Sequence, residues 1–309
     1  MNKRARAAGA TLVMAAGLAL TLGEVAMAGE PKLAVSGRVR SADGVEIAYA
    51  DQGRGAVAIV LIHGGLADRS FWARQFEGLA GKYRLVALDL AGHGASGRDR
   101  ERLTIAAWAG DVLAVVDALR LQRVVLVGNS LGGPVALEAA ALLHGRAIGV
   151  IGVDTLHLAT QKMPAAEAHA RAEAFRKDFT GTCHAMAEAL FHPGTQAELR
   201  GWAEKRMCAT PPAVAAAMME GFGDYDIAQA FRKAGVPIRA INGDLWPTQI
   251  EANRKITPDF DAVIMKGAGH YPMLERPAEF NRLLEDYVQV FDRASARPPR
   301  RGHTPAAKE

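Results

Sequence analysis

Cysteine is scarce in this chain: among 309 residues only Cys183 and Cys208 occur. They form no CxxC motif and no Cys/His pattern with the spacing of metal ligands, so the sequence predicts no metal and no cofactor. In an exported chain the two thiols can form a disulfide; two free buried thiols are the alternative that the sequence leaves open.

The central part of the chain also lacks an excess of positive charge. The formal net charge is +4, but residues 1–28 contribute +2 and residues 293–309 contribute +4, which leaves −2 for residues 29–292. Because the basic residues lie at the two ends, we expect no binding of nucleic acid by the folded part. A small molecule is therefore the expected partner.

A long membrane-spanning run is missing as well. The N-terminus has a basic start, an apolar stretch at residues 8–22 and the small residues of Ala26-Met27-Ala28, which together are typical of a secretory signal peptide. The apolar stretch is shorter than the roughly 20 residues that span a bilayer, and an N-terminal membrane anchor is the alternative. We expect a signal peptide at residues 1–28, a secreted or periplasmic protein, and no stable membrane insertion after cleavage.

The rest of the chain alternates short β-type runs with helical stretches, which is typical of an α/β fold. Two runs flank the turn signal Asp43-Gly44 and predict an opening hairpin; the later runs are rich in Val, Ile and Leu, as in strands buried on both faces. The sequence predicts a mostly parallel, eight-stranded sheet with helices on both faces. The predicted strands are residues 33–40, 45–50, 56–62, 84–88, 124–127, 147–153, 237–241 and 262–265.

No strand-like run occurs between residues 155 and 231. This segment has helical stretches with many apolar residues, which predicts a helical cap inserted after the sixth strand. Residues 29–154 and 232–292 then form the core, with a final helix from Pro277 to about Phe291. Residues 293–309 are expected to be a disordered basic tail.

The strongest chemical signal is Gly128-Asn129-Ser130-Leu131-Gly132-Gly133, placed between a predicted strand and a predicted helix. A nucleophile on so sharp a turn needs small neighbours, because the strained backbone leaves no room for Cβ atoms. A serine hydroxyl also needs a base, and His270 follows the last predicted strand within Gly269-His270-Tyr271-Pro272. Ser130 is the predicted nucleophile and His270 the predicted general base.

Acyl transfer also needs hydrogen-bond donors for the oxyanion. The amide of Leu131 lies at the start of the predicted helix, and Gly65 follows the third predicted strand in His63-Gly64-Gly65. We predict that the amides of Gly65 and Leu131 form the oxyanion hole, whereas His63 fixes its own loop.

Taken together and in this order, these motifs resemble the α/β-hydrolase superfamily, in the branch with a helical cap. The resemblance rests on the His63 motif with Trp72, the segment from Asp89 to Ser96, the Ser130 turn and the His270 loop, and it covers nearly all of residues 33–292. It implies a serine hydrolase, and it implies that the Asp89 segment shapes the floor of the pocket.

The chain departs from this family's common pattern at the third member of the triad. Trp246 stands where most relatives carry the acid, in Gly243-Asp244-Leu245-Trp246, and Asp244 lies two residues early. Asp154, at the end of the sixth predicted strand, resembles the arrangement of relatives that place the acid there; the cap of a following helix is its other interpretation. We favour Asp154 and keep Asp244 as the alternative.

These residues predict an exported serine hydrolase that cleaves a small carboxylic ester, thioester or amide through an acyl-enzyme at Ser130. Hydrolysis of a carbon–carbon bond in a β-diketone-like acid is one alternative, and a non-catalytic binding protein of the same fold is another. We expect Trp72, Leu131, Trp246 and Tyr271 to wall an apolar pocket.

Overall fold

The computed structural model describes residues 32–296. The predicted signal peptide lies outside these residues, and so does most of the predicted basic tail. The start of that tail was predicted wrongly, because the last helix continues to Ser295. Within the described residues, no helix has both the length and the apolar character that crossing a bilayer requires.

Eight strands form one sheet, in the spatial order β1-β2-β4-β3-β5-β6-β7-β8. The strands β1 and β2 pair in antiparallel fashion, and the pairs from β4 to β8 are all parallel. The predicted fold class is therefore confirmed. The strands are β1 (Gly37–Arg40), β2 (Glu46–Gln52), β3 (Ala58–Ile62), β4 (Arg84–Leu88), β5 (Val124–Asn129), β6 (Ala147–Val153), β7 (Ile238–Asn242) and β8 (Asp261–Ile264).

Eleven α-helices and one short 3-10 helix, Arg69–Trp72, accompany the sheet within residues 32–296. The helices are α1 (Ala73–Leu79), α2 (Ile105–Ala118), α3 (Gly132–Leu142), α4 (Ala165–Lys177), α5 (Phe179–Ala189), α6 (Ala197–Met207), α7 (Pro212–Gly221), α8 (Ile227–Lys233), α9 (Ile250–Arg254), α10 (Pro272–Glu275) and α11 (Pro277–Ser295).

The central strands are continuous apolar runs because helices cover both faces of the sheet. Every residue of β3, β5 and β6 is buried. Gly149 of β6 shows how closely a helix approaches: a Cβ at this position would collide with the ring of Phe291 in α11. The parallel strands end at one edge of the sheet, where the connecting loops lie together.

Five helices, α4 to α8, lie between β6 and β7, where the sequence predicts a cap. This helical insert is fixed to the loop after β3. The Arg206 guanidinium contacts the Asp68 carboxylate at 2.5 Å, and the hydroxyl of Thr210 donates to the carbonyl oxygen of Leu66 at 3.1 Å. Its exact limits, residues 155 and 231, stay a prediction.

Cys183 of α5 and Cys208, at the end of α6, form a disulfide with their Cα atoms 5.8 Å apart. The structure thus selects one of the two states that the sequence left open. The bond closes a loop across 25 positions of the insert. Such a loop restricts the unfolded chain and thereby stabilises the folded one.

We expect the double variant Cys183→Ser/Cys208→Ser to lose about 3 kcal/mol of unfolding free energy, as loop-closure entropy predicts for a loop of this size. Urea unfolding monitored by circular dichroism measures the loss. A reductant should lower the urea midpoint of the wild type and leave that of the double variant unchanged; equal midpoints for all four samples would contradict the stabilising role.

Candidate active site

Ser130 lies on a sharp turn between β5 and α3. Its φ of 51° is in the left-handed region, which is strained for a residue with a side chain. Three hydrogen bonds hold the turn: Ser130 N donates to Val153 O at 3.1 Å, and Ser130 O accepts from Gly133 N at 3.0 Å and from the Thr155 hydroxyl at 2.9 Å. The backbone is therefore held in the strained conformation that the sequence motif predicts.

The glycines beside Ser130 are required by close backbone contacts. A Cβ on Gly128 would collide with the carbonyl of Gly132, and a Cβ on Gly132 would lie 2.9 Å from His63 O. The loop after β3 also reaches Ser130, since a Cβ on Gly64 would lie 3.1 Å from Ser130 Cβ. Larger residues would push the serine turn and this loop apart.

His270 lies in the loop between β8 and α10 and forms a hydrogen bond with Asp154. Its Nδ1 is 2.5 Å from Asp154 Oδ2, and the Asp154 side chain has no solvent exposure. The other carboxylate oxygen, Oδ1, accepts a hydrogen bond from Gly243 N at 2.9 Å. With Nδ1 occupied, Nε2 of His270 is the nitrogen that can accept a proton from Ser130.

The structure thus brings Asp154, and not Asp244, to His270. Asp154 follows β6 directly, with a φ of 44° that turns its side chain back across the sheet edge. Asp244 is exposed, and its Oδ2 accepts from Gly267 N at 3.0 Å. This contact holds the turn before His270 and leaves Asp244 without a direct role at the imidazole.

Asn129 also joins the serine turn to the histidine loop. Its buried side-chain amide donates to Val153 O at 2.9 Å and to His270 O at 3.0 Å. On the other side, His270 N donates to Leu190 O at the end of α5. The backbone of His270 is thus fixed from the sheet and from the helical insert.

The two predicted oxyanion donors lie in suitable loops. Leu131 N-caps α3, so its amide belongs to the unpaired N–H groups at a helix start, and Gly65 follows the loop that contacts the serine turn. Among residues 32–296, neither amide donates to another protein group. His63 fixes this loop as predicted: Nδ1 contacts Gly64 O at 2.7 Å, and Nε2 accepts from Leu90 N at 3.0 Å.

Ser130, Asp154 and His270 line one cavity of about 420 Å³. Trp246 lines it too, with its ring edge-on to the His270 imidazole at 5.6 Å between centroids. The lining is completed by side chains of α3, of the segment after β6 and of the insert, namely Leu131, Pro134, Thr155, Leu156, His157, Leu158, Gln161, Lys162, Met163, Glu167, Arg171, Phe222, Tyr225 and Ile227.

Two predicted pocket residues, Trp72 and Tyr271, are not part of this lining. Trp72 has no exposed surface and packs against Phe280. Tyr271 is equally buried, and its hydroxyl contacts the sulfur of Met207 at 3.3 Å. The prediction that Trp72 and Tyr271 wall the pocket was wrong for this cavity. Both residues lie close to a motif in the sequence, but their side chains pack into the core.

His157 also lines the cavity, although it belongs to none of the motifs that mark the site in the sequence. Its Nε2 lies 3.8 Å from Asp154 Oδ1, and its Nδ1 lies 3.0 Å from the hydroxyl of Thr248. Burial lowers its pKa from the ordinary 6.5, and the negative charge of Asp154 opposes this shift only in part. In the sequence, only its position three residues after Asp154 indicates that His157 could lie near the site.

Two further histidines, His63 in the loop after β3 and His93 in the loop after β4, are buried with their ring centroids 5.0 Å apart. Burial lowers the pKa of His93 to about 3, and the neighbouring His63 adds to the shift. Burial likewise lowers the pKa of His63, against the charge of Asp89. Both are neutral at pH 7 and support the loops. Within the described residues, no cluster of three or more His, Cys, Asp or Glu side chains could hold a metal.

A family model described as the alpha/beta hydrolase family matches residues 59–283. Among solved structures, a thermophilic esterase from Thermogutta terrifontis superimposes with a TM-score of 0.73 at 25% identity, covering 82% of this chain and 98% of that one.

Two curated relatives match over shorter segments. The dihydrolipoyllysine-residue acetyltransferase component of an acetoin cleaving system from Cupriavidus necator is 36% identical over 123 residues, 40% of this chain and 33% of that protein. A 2-hydroxy-6-oxononadienedioate/2-hydroxy-6-oxononatrienedioate hydrolase from Paraburkholderia xenovorans is 36% identical over 120 residues, 36% of this chain and 40% of that protein. The alignments thus span less than half of these relatives.

The two carboxylates can be separated by substitution. We expect Asp154→Asn to lower kcat by about 10⁴, the cost of losing the orienting acid in a well-studied triad, whereas Asp244→Asn should change kcat by less than about tenfold because it holds only a turn. Steady-state hydrolysis of a chromogenic ester measures both. Full activity of Asp154→Asn in folded protein would contradict the assignment.

His93 should make the fold sensitive to mild acid. The pKa of His93 in the folded protein lies below its unfolded value of 6.5, so the unfolded chain binds a proton more readily. The contribution of neutral His93 to the free energy of unfolding is therefore complete above pH 6.5 and is lost as the pH falls from there toward about 3. The slope is about 1.4 kcal/mol per pH unit for one proton. Urea unfolding should show that His93→Asn loses less unfolding free energy between pH 7 and pH 5 than the wild type does. The exposed control His144→Asn should keep the wild-type loss; an unchanged loss in His93→Asn would contradict this role.

Proposed function

Because the chain belongs to the alpha/beta hydrolase family, we propose that it is an exported serine hydrolase that cleaves small carboxylic esters, with thioesters and amides as related substrates. The observation that carries the proposal is the buried Asp154–His270 pair on the wall of the cavity that also contains Ser130. A base oriented by a buried acid is what a serine hydroxyl needs to act as a nucleophile.

The proposed reaction has two halves. Ser130 Oγ attacks the carbonyl carbon while His270 Nε2 takes the hydroxyl proton, and the resulting imidazolium is stabilised by the carboxylate of Asp154. The tetrahedral oxyanion accepts hydrogen bonds from the amides of Gly65 and Leu131. Collapse breaks the bond to the alcohol, which receives the proton from His270, and leaves an acyl-enzyme. Water then repeats the sequence and releases the acid and free Ser130.

The burial of Asp154 explains why this arrangement suits proton transfer. A carboxylate without solvent contact needs partners for its charge, and here the His270 imidazole and the Gly243 amide supply them. When His270 takes a proton, the positive charge forms next to a fixed negative charge in a site of low polarity, where their attraction is stronger than in water. The amides of Gly65 and Leu131 stabilise the negative charge of the oxyanion. Each such donor typically raises the rate by about 10² to 10³.

The cavity supports a substrate with an apolar body. Leu131, Leu156, Met163, Phe222 and Ile227 contribute apolar surface around Ser130. The charged groups in the lining already have partners: Lys162 pairs with Asp224 at 3.3 Å, and Arg171 pairs with Glu167 at 2.7 Å. Both pairs are exposed, so they are weak and leave the choice between a neutral and an anionic substrate to the ester panel.

Hydrolysis of a carbon–carbon bond in a β-diketone-like acid is the second candidate. It is favoured by the local identity to the hydrolase from Paraburkholderia xenovorans. The same Ser130, His270 and oxyanion amides would serve it. Lys162 and Arg171 are the cations of the lining that could bind the carboxylate of such an acid.

Export is the second part of the proposal. It is supported by the signal-like N-terminus of the sequence and by the disulfide between Cys183 and Cys208, since such bonds persist mainly in oxidising compartments. N-terminal sequencing of the protein recovered from culture medium or periplasm tests it: a mature N-terminus at Gly29 is expected.

A fluorophosphonate probe and an ester panel test the chemistry. We expect the probe to label Ser130 and the wild type to turn over p-nitrophenyl esters, because both need a serine activated by His270. Ser130→Ala should abolish labelling and lower kcat by at least about 10⁴. Ser295→Ala removes an exposed hydroxyl of α11 that has no contact with the serine turn, and it is the matched control, which should still be labelled.

Three outcomes separate the candidate functions. Hydrolysis of esters with labelling at Ser130 supports the proposal. Labelling without ester turnover, together with cleavage of a vinylogous diketone acid, would favour the carbon–carbon bond hydrolase. A folded protein that is neither labelled nor active would instead be a binding protein of this fold.

A further inference from the structure

Met218 of α7 covers the loop that contains the proposed oxyanion donor. A Cβ built on Gly65 would overlap the Met218 sulfur and would lie 3.0 Å from its methyl carbon. Met218 itself is 2% exposed. Its thioether therefore fills the space directly beside the backbone of Gly65, the proposed oxyanion donor.

The helix that presents Met218 is firmly held against the core. Val214, one turn earlier in α7, packs on Gly92 of the loop after β4, since a Cβ on that glycine would lie 3.2 Å from a Val214 methyl. The residues just before α7 bind the loop after β3 through Thr210 and Arg206. The helix that carries Met218 is thus tied to the loops after β3 and β4.

The cavity of about 420 Å³ at Ser130 does not extend to Met218. It is bounded by Leu131, the segment after β6 and parts of the insert, and neither Gly65 nor Met218 lines it. A volume of this size accommodates a drug-sized group. The space beside Gly65 is therefore filled, whereas the cavity at Ser130 is open.

We propose that Met218 determines specificity by limiting one of the two groups on the scissile carbonyl to a short chain. The inference rests on the proposed function, with the oxyanion at Gly65 and Leu131. The acyl and alkoxy groups of a bound ester extend to opposite sides of the carbonyl, so one of them lies under Met218 and the other occupies the cavity. The substrate class is an ester with one short group and one bulky apolar group.

Two ester series identify the restricted side. The first varies the acyl chain of ethyl esters from acetate to octanoate, and the second varies the alcohol of acetates from ethyl to octyl, with the released acid measured by pH titration in both. In the wild type, kcat/KM should fall by at least about tenfold per misfit methylene in one series and stay level or rise in the other. Met218→Ala should restore the long members of the restricted series by at least about tenfold.

Matched variants separate a local effect from a general one. Met219→Ala removes the neighbouring methionine of α7 and should retain the wild-type chain-length profile. Met218→Leu keeps a similar side-chain volume and should also retain the wild-type chain-length profile. Met218→Val removes fewer side-chain atoms than Met218→Ala and should shift the profile part of the way. The graded shift provides the test if Met218→Ala does not fold.

Equal tolerance of long chains in both wild-type series would overturn the inference, and so would an unchanged profile in folded Met218→Ala and Met218→Val that still carry the fluorophosphonate label at Ser130. That result would leave the proposed function intact. Loss of the function itself looks different, because an unlabelled wild type that hydrolyses no member of either series has no profile to shift.

Discussion

The carboxylate of Asp154 is buried completely at the carboxyl edge of the sheet, and the geometry of the whole site depends on how that charge is satisfied. Oδ2 is bonded to His270 and Oδ1 to the amide of Gly243. These partners come from the loops after β8 and β7, whereas Asp154 itself follows β6. A buried charge that loses a partner costs several kcal/mol, so this one residue holds three loops in register.

The sheet explains why residues so distant in sequence meet here. The strands β5, β6, β7 and β8 are parallel neighbours, so the residues that follow them all emerge at one edge. Ser130 follows β5, Asp154 follows β6 and His270 follows β8 at that edge. Asn129 reinforces the arrangement, because its single amide bonds both the end of β6 and the histidine loop.

Much of this could be predicted because the responsible patterns are local. The strained turn at Ser130 requires glycines at fixed positions, and buried parallel strands require apolar runs. The sequence favoured Asp154 but kept Asp244 as an alternative, since the final choice depends on a φ of 44° at Asp154 and on the direction in which each loop turns. The interior positions of Trp72 and Tyr271, the cavity position of His157 and the end of α11 at Ser295 likewise depend on packing between distant segments.

The hydrogen bond from the His270 amide to Leu190 O makes the end of α5 part of the support of the imidazole. Gly269 meets the same helix end, because a Cβ there would lie 2.6 Å from His192 N. A swing of the entire insert away from the sheet would break this bond and carry the support of the base along with it. Entry of small molecules along the flank where α4 and the stretch after β6 border the cavity leaves this hydrogen bond intact, and with it the support of the base.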